Sequence, residues 1–374
     1  MLLPAGHGHA HATLLPRRRG PTRQDAEVAR DLRTLPKAHL HLHFTGSMRP
    51  TTLVELAAEQ GRRLPESLVD AVVDGDPVRL PASERGWFRF QRMYDAARAV
   101  VRSEEVMRRV VDEAVAADAA EGSVRLEIQV DPTSYAPHVG GLTPALEIVL
   151  DAARASAARH GIEVGVVVAA SRMRHPLEAR TLARLAALHA GPDGVIGFGL
   201  SNDERRGVTS EFGPAFAIAA RAGLASVPHG GELLGPDHVV EVLDALHPDR
   251  LGHGVRAVED PAVLERVVDS GVALEVCPTS NVSLGVYPAV EDVPLRRLVD
   301  AGATVALGAD DPLIFGPRLL EQYRLAREVH GFDDAALAEL ARGSIRASRA
   351  SESSRARMLA AVDAWLAAPD PAAH

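Results

Sequence analysis

Short apolar runs recur along the chain at residues 38–43, 124–130, 164–170, 195–200, 224–229, 250–253, 272–277 and 304–308. Most contain β-branched residues, and all have the length of buried strands rather than helices. Between them lie stretches whose apolar positions fall three and four apart, at residues 104–119, 144–159, 177–190, 214–223, 236–246, 261–270, 293–301 and 319–330. Many of these open at Pro or Asp and close near Gly, the punctuation of helices. Strands alternating with helices imply a parallel sheet. Eight such units without a linker predict a closed (β/α)8 TIM barrel rather than two doubly wound domains. No G-x-G-x-x-G follows any of the strands, so the mark of a dinucleotide-binding sheet is missing. An insertion at residues 50–91, rich in Leu, Arg and Pro, predicts extra helices covering the barrel mouth. Residues 333–366 predict further helix packed outside. Residues 31–370 read as a single domain. Residues 1–30 carry no helical or strand period and read as a disordered tail, where nothing would hold the rings of His7, His9 and His11 for a metal.

Composition narrows the function classes. The 374 residues are 46% hydrophobic and 24% charged, as in ordinary soluble proteins. Aromatics make up only 4%, so the core is built from Val, Leu, Ala and Ile. The net charge of −9 is opposite to that of a protein gripping a phosphate backbone. A small-molecule substrate is expected, and no nucleic-acid partner. Cys277 stands alone, so no internal disulfide forms, which fits a reducing cytoplasm. No stretch approaches the roughly 20 apolar residues of a membrane span, and the N-terminus lacks the build of a signal peptide. A cytoplasmic location without a membrane partner is expected. Nothing in the sequence indicates an oligomeric state.

Four clusters at predicted strand ends carry the chemistry. In the first strand His39, His41 and His43 alternate with apolar residues, and a strand places i, i+2 and i+4 on one face. Three buried imidazoles in step need partners, and a metal supplies them. Spacing alone does not choose the pair, but position nearest the C-terminal end favours His41 and His43 over His39. The fifth strand closes on His229-Gly230-Gly231-Glu232, which read alone is equally a surface loop. The sixth closes on Gly252-His253-Gly254, which is equally a His packed in a tight turn. The eighth leads to Asp310-Asp311-Pro312, where adjacent carboxylates repel unless a cation or proton is near. A helix N-cap before Pro312 is the plain alternative. Together the clusters offer three imidazoles and a carboxylate, the ligand set of a catalytic zinc with an open water position. Such an ion brings water to a pKa of about 7. Residue chemistry therefore reaches metal-assisted hydrolysis and stops short of a substrate.

In order and at these strand ends, the motifs resemble the adenosine deaminase family from about Leu35 through the final helices. The resemblance rests on His41-x-His43, then Gly46-Ser47-Met48-Arg49-Pro50, His229 to Glu232, Gly252 to Gly254, Cys277-Pro278-Thr279-Ser280-Asn281, and Asp310 to Pro312. It implies one zinc per chain, held by His41, His43, His229 and Asp310. It implies that Glu232 donates a proton to N1 of the purine, which requires a raised Glu232 pKa. By the same resemblance His253 assists deprotonation of the attacking water, and Asp311 hydrogen-bonds the hydroxide and the purine. Substrate contacts are implied at His43, Thr45, Asn202, Gly231 and Asp311. Two positions depart from the pattern: Thr45 replaces an Asp that binds the ribose 5′-hydroxyl, and Asn202 replaces a Gly whose amide contacts the purine. The implied reaction converts adenosine and 2′-deoxyadenosine to inosine and 2′-deoxyinosine with release of ammonia. Adenine or a modified adenine nucleoside such as aminofutalosine is the alternative, and a catalytically dead binding protein a more distant one. The absence of Lys from strands two to eight argues against a carbamylated-Lys two-metal site, and a single cysteine excludes the Cys-ligated zinc of cytidine-type deaminases.

Overall fold

A computed structural model describes residues 30–73 and 78–369. The N-terminal tail and its three histidines lie outside these residues. Eight strands are hydrogen-bonded in chain order: β1 (Lys37–His43), β2 (Ser123–Val130), β3 (Glu163–Ser171), β4 (Val195–Ser201), β5 (Ala225–Gly230), β6 (Arg250–His253), β7 (Ala273–Val276) and β8 (Val305–Leu307). Every neighbouring pair is parallel. Nearly all strand residues are buried, because helices cover one face and the barrel interior the other. The predicted TIM barrel is thus the observed fold.

Beyond β8 the ring closes through an isolated parallel bridge between Leu42 and Asp310. His43 N donates to Asp310 O at 3.1 Å, and Asp310 N donates to His41 O at 3.0 Å. The helix lying against this seam is Asp334–Ala347. Ala38 N donates to Ser344 Oγ at 3.1 Å, and a Cβ on Gly343 would stand 2.9 Å from Val305 O, so that glycine permits the close packing. Helix Glu352–Ala367 follows it. The insertion after β1 forms helices Pro50–Glu59, Glu66–Val73 and Glu84–Arg98, the last capped by Ser83 Oγ accepting from Gly86 N. Its aromatic face forms one wall of the barrel mouth.

Charged residues fill much of the barrel interior. Arg125 bonds Glu127 at 2.7 Å, Glu127 bonds Arg250 at 2.7 Å, Arg250 bonds Glu275 at 2.6 Å, and Glu275 bonds His41 Nδ1 at 2.7 Å. This ladder links β2, β6, β7 and β1. A buried pair is costly to break because the remaining charge is left uncompensated.

Burial alone would raise the Glu127 carboxyl, but Arg250 and Arg125 outweigh it and hold it at about 2. A carboxyl depressed below its unfolded value of roughly 4.3 stabilises the fold above that value, and the contribution fades as pH falls towards about 2. The urea midpoint is therefore expected to drop between pH values of about 4.5 and 2.5. Glu127→Gln should cost about 3–5 kcal/mol at neutral pH and flatten that acid transition. An unchanged transition in the variant would remove Glu127 from the acid response.

Candidate active site

His41 and His43 end β1, His229 ends β5, His253 ends β6, and Asp310 and Asp311 follow β8, so the four sequence clusters meet at the C-terminal mouth of the barrel. His43 Nε2 lies 3.1 Å from Asp310 Oδ1 and 3.2 Å from His229 Nε2, and His41 Nε2 lies 3.5 Å from Asp310 Oδ1. A tetrahedral zinc with bonds of about 2.05 Å has ligand–ligand edges of about 3.4 Å. The His41, His43 and Asp310 ligand atoms form one group close enough for a metal ion, and His41, His229 and His253 form another. His253 Nε2 stands further off, 4.0 Å from Asp310 Oδ2 and 3.7 Å from Glu232 Oε1.

Neighbouring groups fix which nitrogen of each ring faces the cluster. Leu200 O can only accept, so His229 Nδ1 donates to it at 3.0 Å and Nε2 keeps its lone pair. The Glu275 carboxylate takes the Nδ1 proton of His41 in the same way, and His41 Nε2 is buried without a hydrogen-bond partner. Burial pushes the Asp310 carboxyl up, but His41 and His43 hold it well below the usual range, so it stays charged. Ser280 Oγ donates to Asp310 Oδ2 at 2.5 Å, leaving Oδ1 for the cluster. Without an ion, burial works against a charged His41 ring, but Asp310 and Glu275 raise it to about 10, so a proton on Nε2 faces Asp310; an ion held by the three imidazoles and the carboxylate would take the place of that proton.

Around this cluster lies a cavity of about 600 Å³ whose lining includes Glu232, His253, Asp311, Gln129, Asn202 and Tyr94. Burial, then the charges of Asp310 and Glu204, raise the Glu232 carboxyl well above its ordinary value. Burial and Asp310 raise Asp311 to about 7. Glu232 Oε1 and Asp311 Oδ1 are buried and have no hydrogen-bond partner. Gly46 makes room for Asp311, since a Cβ there would stand 1.8 Å from Asp311 Oδ1. Asn202, His253 and Asp310 all adopt positive φ, at 81°, 65° and 63°, a backbone cost concentrated where the chemistry is.

A family model described as adenosine deaminase matches residues 36–365. The chain belongs to the adenosine deaminase family. A Streptomyces coelicolor relative, named as a candidate adenosine/adenine deaminase, is 61% identical over 91% of this chain and 100% of its own. An adenine deaminase of Rhizobium leguminosarum bv. trifolii is 35% identical over 87% of this chain and 98% of its own. The crystal structure of adenine deaminase from Arthrobacter aurescens aligns with a TM-score of 0.81 and 31% identity, covering 89% of this chain and 99% of that one. Membership makes the chain a hydrolase acting on C–N bonds.

Against this family pattern three residues stand differently from the sequence-based expectation. His39 does not share a face with His41 and His43. Its Nδ1 bonds Asp118 of helix Glu104–Ala120 at 2.7 Å, and its Nε2 accepts from Ala309 N at 3.0 Å. The pairing register slips between His39 and Leu42, which breaks the two-residue alternation. Thr45 is buried behind the cavity, its hydroxyl 2.5 Å from Tyr135 OH, and is not in the lining. Gly231, at φ 71°, is also set back, with its carbonyl accepting from Arg256 N. The sequence does not single out Glu275, and it offers Ser280 and Asn281 as parts of a motif without a role; Asn281 Nδ2 lies 3.4 Å from His253 Nδ1. Glu204, two residues after Asn202, is a further residue without a sequence signal. Its carboxylate accepts from the backbone N of Glu232, Leu233 and Leu234, at 3.1, 2.9 and 2.9 Å, and so fixes the turn that carries Glu232.

Because Glu275 sets the tautomer of His41, Glu275→Gln is expected to lower metal affinity about 10–100-fold. Competition with a chelating dye measures this. Wild-type affinity in a folded variant would show that the contact does not orient the ring.

Proposed function

We propose that this protein is a zinc-dependent 6-aminopurine deaminase acting on adenosine and 2′-deoxyadenosine. The observation that supports this reading best is that two buried acids without hydrogen-bond partners, Glu232 Oε1 and Asp311 Oδ1, face one cavity beside the His41, His43 and Asp310 cluster. His41, His43, His229 and Asp310 would hold one zinc, which when bound supplies a water acidic enough to ionise near neutrality. Glu232, with its proton retained by burial and by Asp310 and Glu204, donates to N1 and makes C6 electrophilic. His253 takes the proton of the attacking water, and Asp311 hydrogen-bonds both water and purine. Water adds at C6, His253 passes its proton to the amino nitrogen, the C6–N bond breaks with release of ammonia, and the proton lost from the C6 hydroxyl restores Glu232 as the 6-oxopurine forms. Residues 31–370 act as one catalytic domain in this reading.

A cavity of about 600 Å³ has room beyond a bare purine, which favours a nucleoside. Adenine is the second reading, favoured by the names of the Rhizobium and Arthrobacter proteins.

Metal analysis should give one zinc per chain, and His229→Ala should lose it together with activity. Glu232→Gln should retain zinc and lose about a hundredfold or more in kcat. Near-wild-type turnover in that variant would remove Glu232 as the proton donor.

Substrate choice is tested by kcat/KM for adenosine, 2′-deoxyadenosine, 5′-deoxyadenosine and adenine. Since Tyr135 already engages the Thr45 hydroxyl, 5′-deoxyadenosine should fall within roughly fivefold of adenosine. A wide preference for adenine would replace the nucleoside reading with the second one.

A further inference from the structure

Three residues lining the cavity carry buried polar atoms without a hydrogen-bond partner among the described residues: Glu232, Asp311 and Gln129. The first two already have roles. Gln129 has none, and both ends of its carboxamide, Oε1 and Nε2, are without a partner although the residue is only 2% exposed. We propose that Gln129 is a specificity-determining residue that reads the N3 edge of the purine, its Nε2–H donating to N3. This rests on the 6-aminopurine reading above.

Backbone register places the side chain. Gln129 pairs with His43 across β1 and β2, and its carbonyl accepts from Phe44 N at 2.8 Å, so it stands level with a residue of the metal cluster. Its Oε1 lies 3.3 Å from where a Cβ on Gly199 of β4 would be, and the Ala169 Cβ of β3 is 3.5 Å from the same point. The carboxamide therefore reaches from β2 across β3 to β4, over two small residues that leave it space.

Ring geometry assigns the partner. Deamination puts C6 at the cluster formed by β1, β5 and β8, with N1 at Glu232. The edge of the ring opposite C6 carries N3 and N9, and it then faces the ends of β2, β3 and β4. N3 is an acceptor and needs a donor. On those strand ends Ser171 Oγ accepts from Met173 N and Asn202 Oδ1 from Asp203 N, which leaves their own O–H and Nδ2–H as donors, but both residues are partly exposed to water, whereas Gln129 is buried and has neither end engaged. Gln129 has its donor free and carries no charge to repel the N3 lone pair. Its Oε1 remains to accept from N9–H of a free base or from a ribose 2′-hydroxyl, so the contact serves either substrate.

The test compares kcat/KM for adenosine and 3-deazaadenosine in wild type and Gln129→Leu, with zinc content and thermal midpoint recorded for both. If adenine proves the better substrate, adenine and 3-deazaadenine replace them. Wild type should lose roughly tenfold or more on the 3-deaza analogue. Gln129→Leu should lose a similar factor on the parent substrate, and its ratio between the two substrates should shrink at least about fivefold. Zinc content and midpoint should hold, since the carboxamide makes no hydrogen bond to the protein. Gln129→Met, closer in length, gives the same comparison if the Leu variant does not fold. An equal 3-deaza ratio in wild type and variant overturns the role of Gln129 while the deaminase reading stands. Failure of zinc-loaded wild type to turn over any 6-aminopurine overturns that reading, and the assignment with it.

Discussion

Closure of the barrel between β1 and the turn after β8 is the constraint on which the site depends. His43 N to Asp310 O and Asp310 N to His41 O join the first strand to the last, and the three residues tied there are three of the four that would hold the metal. Each backbone hydrogen bond is worth only about 0.5–1.5 kcal/mol net. Their value is positional. Asp310 sits at φ 63°, a conformation that costs an L-residue of order 1–3 kcal/mol and persists only when its surroundings over-determine it. Both its N–H and its C=O are held by the seam, and Ser280 holds its side chain. Ligand geometry and barrel closure are thus one set of contacts.

Below the seam, the ladder from Arg125 to Glu275 delivers a hydrogen-bonded carboxylate to His41 from inside the barrel. The three acids beside the reaction centre are treated in two opposite ways by their surroundings. Asp310 faces imidazoles and stays charged, whereas Glu232 and Asp311 face burial and other carboxylates and hold protons more tightly. One small space thereby contains both a permanent anion and groups able to give up a proton, the division of labour that acid-assisted hydrolysis requires.

The strands and the four clusters were legible because a parallel barrel is buried on both sides, so its strands read as apolar runs and its site lies where those runs end. The rest failed for identifiable reasons. The period of two that grouped His39 with His41 assumes unbroken pairing, and the register slip after His39 is invisible in composition. Glu127, Arg250 and Glu275 were visible as charges inside buried strands, a real signal, but only the fold shows which of them pair. Thr45 could be placed on the sugar side by resemblance, yet its hydroxyl is taken by Tyr135, some ninety positions away, on a segment with no motif. Gln129 follows Arg125 and Glu127 at alternate positions of β2, and register alone brings it level with His43.

A chain closed at its two ends has a consequence for how it is made. At roughly 5–20 residues per second, His41 and His43 leave the ribosome on the order of 13–55 s before Asp310 does. Throughout that interval β1 has at most one of its two neighbours, and its imidazoles lack the Asp310 carboxylate. Early capture of an ion by the nascent histidines would have to use ligands from elsewhere, so the native site is among the last features to assemble, and a chain stopped short of Asp310 has no route to it.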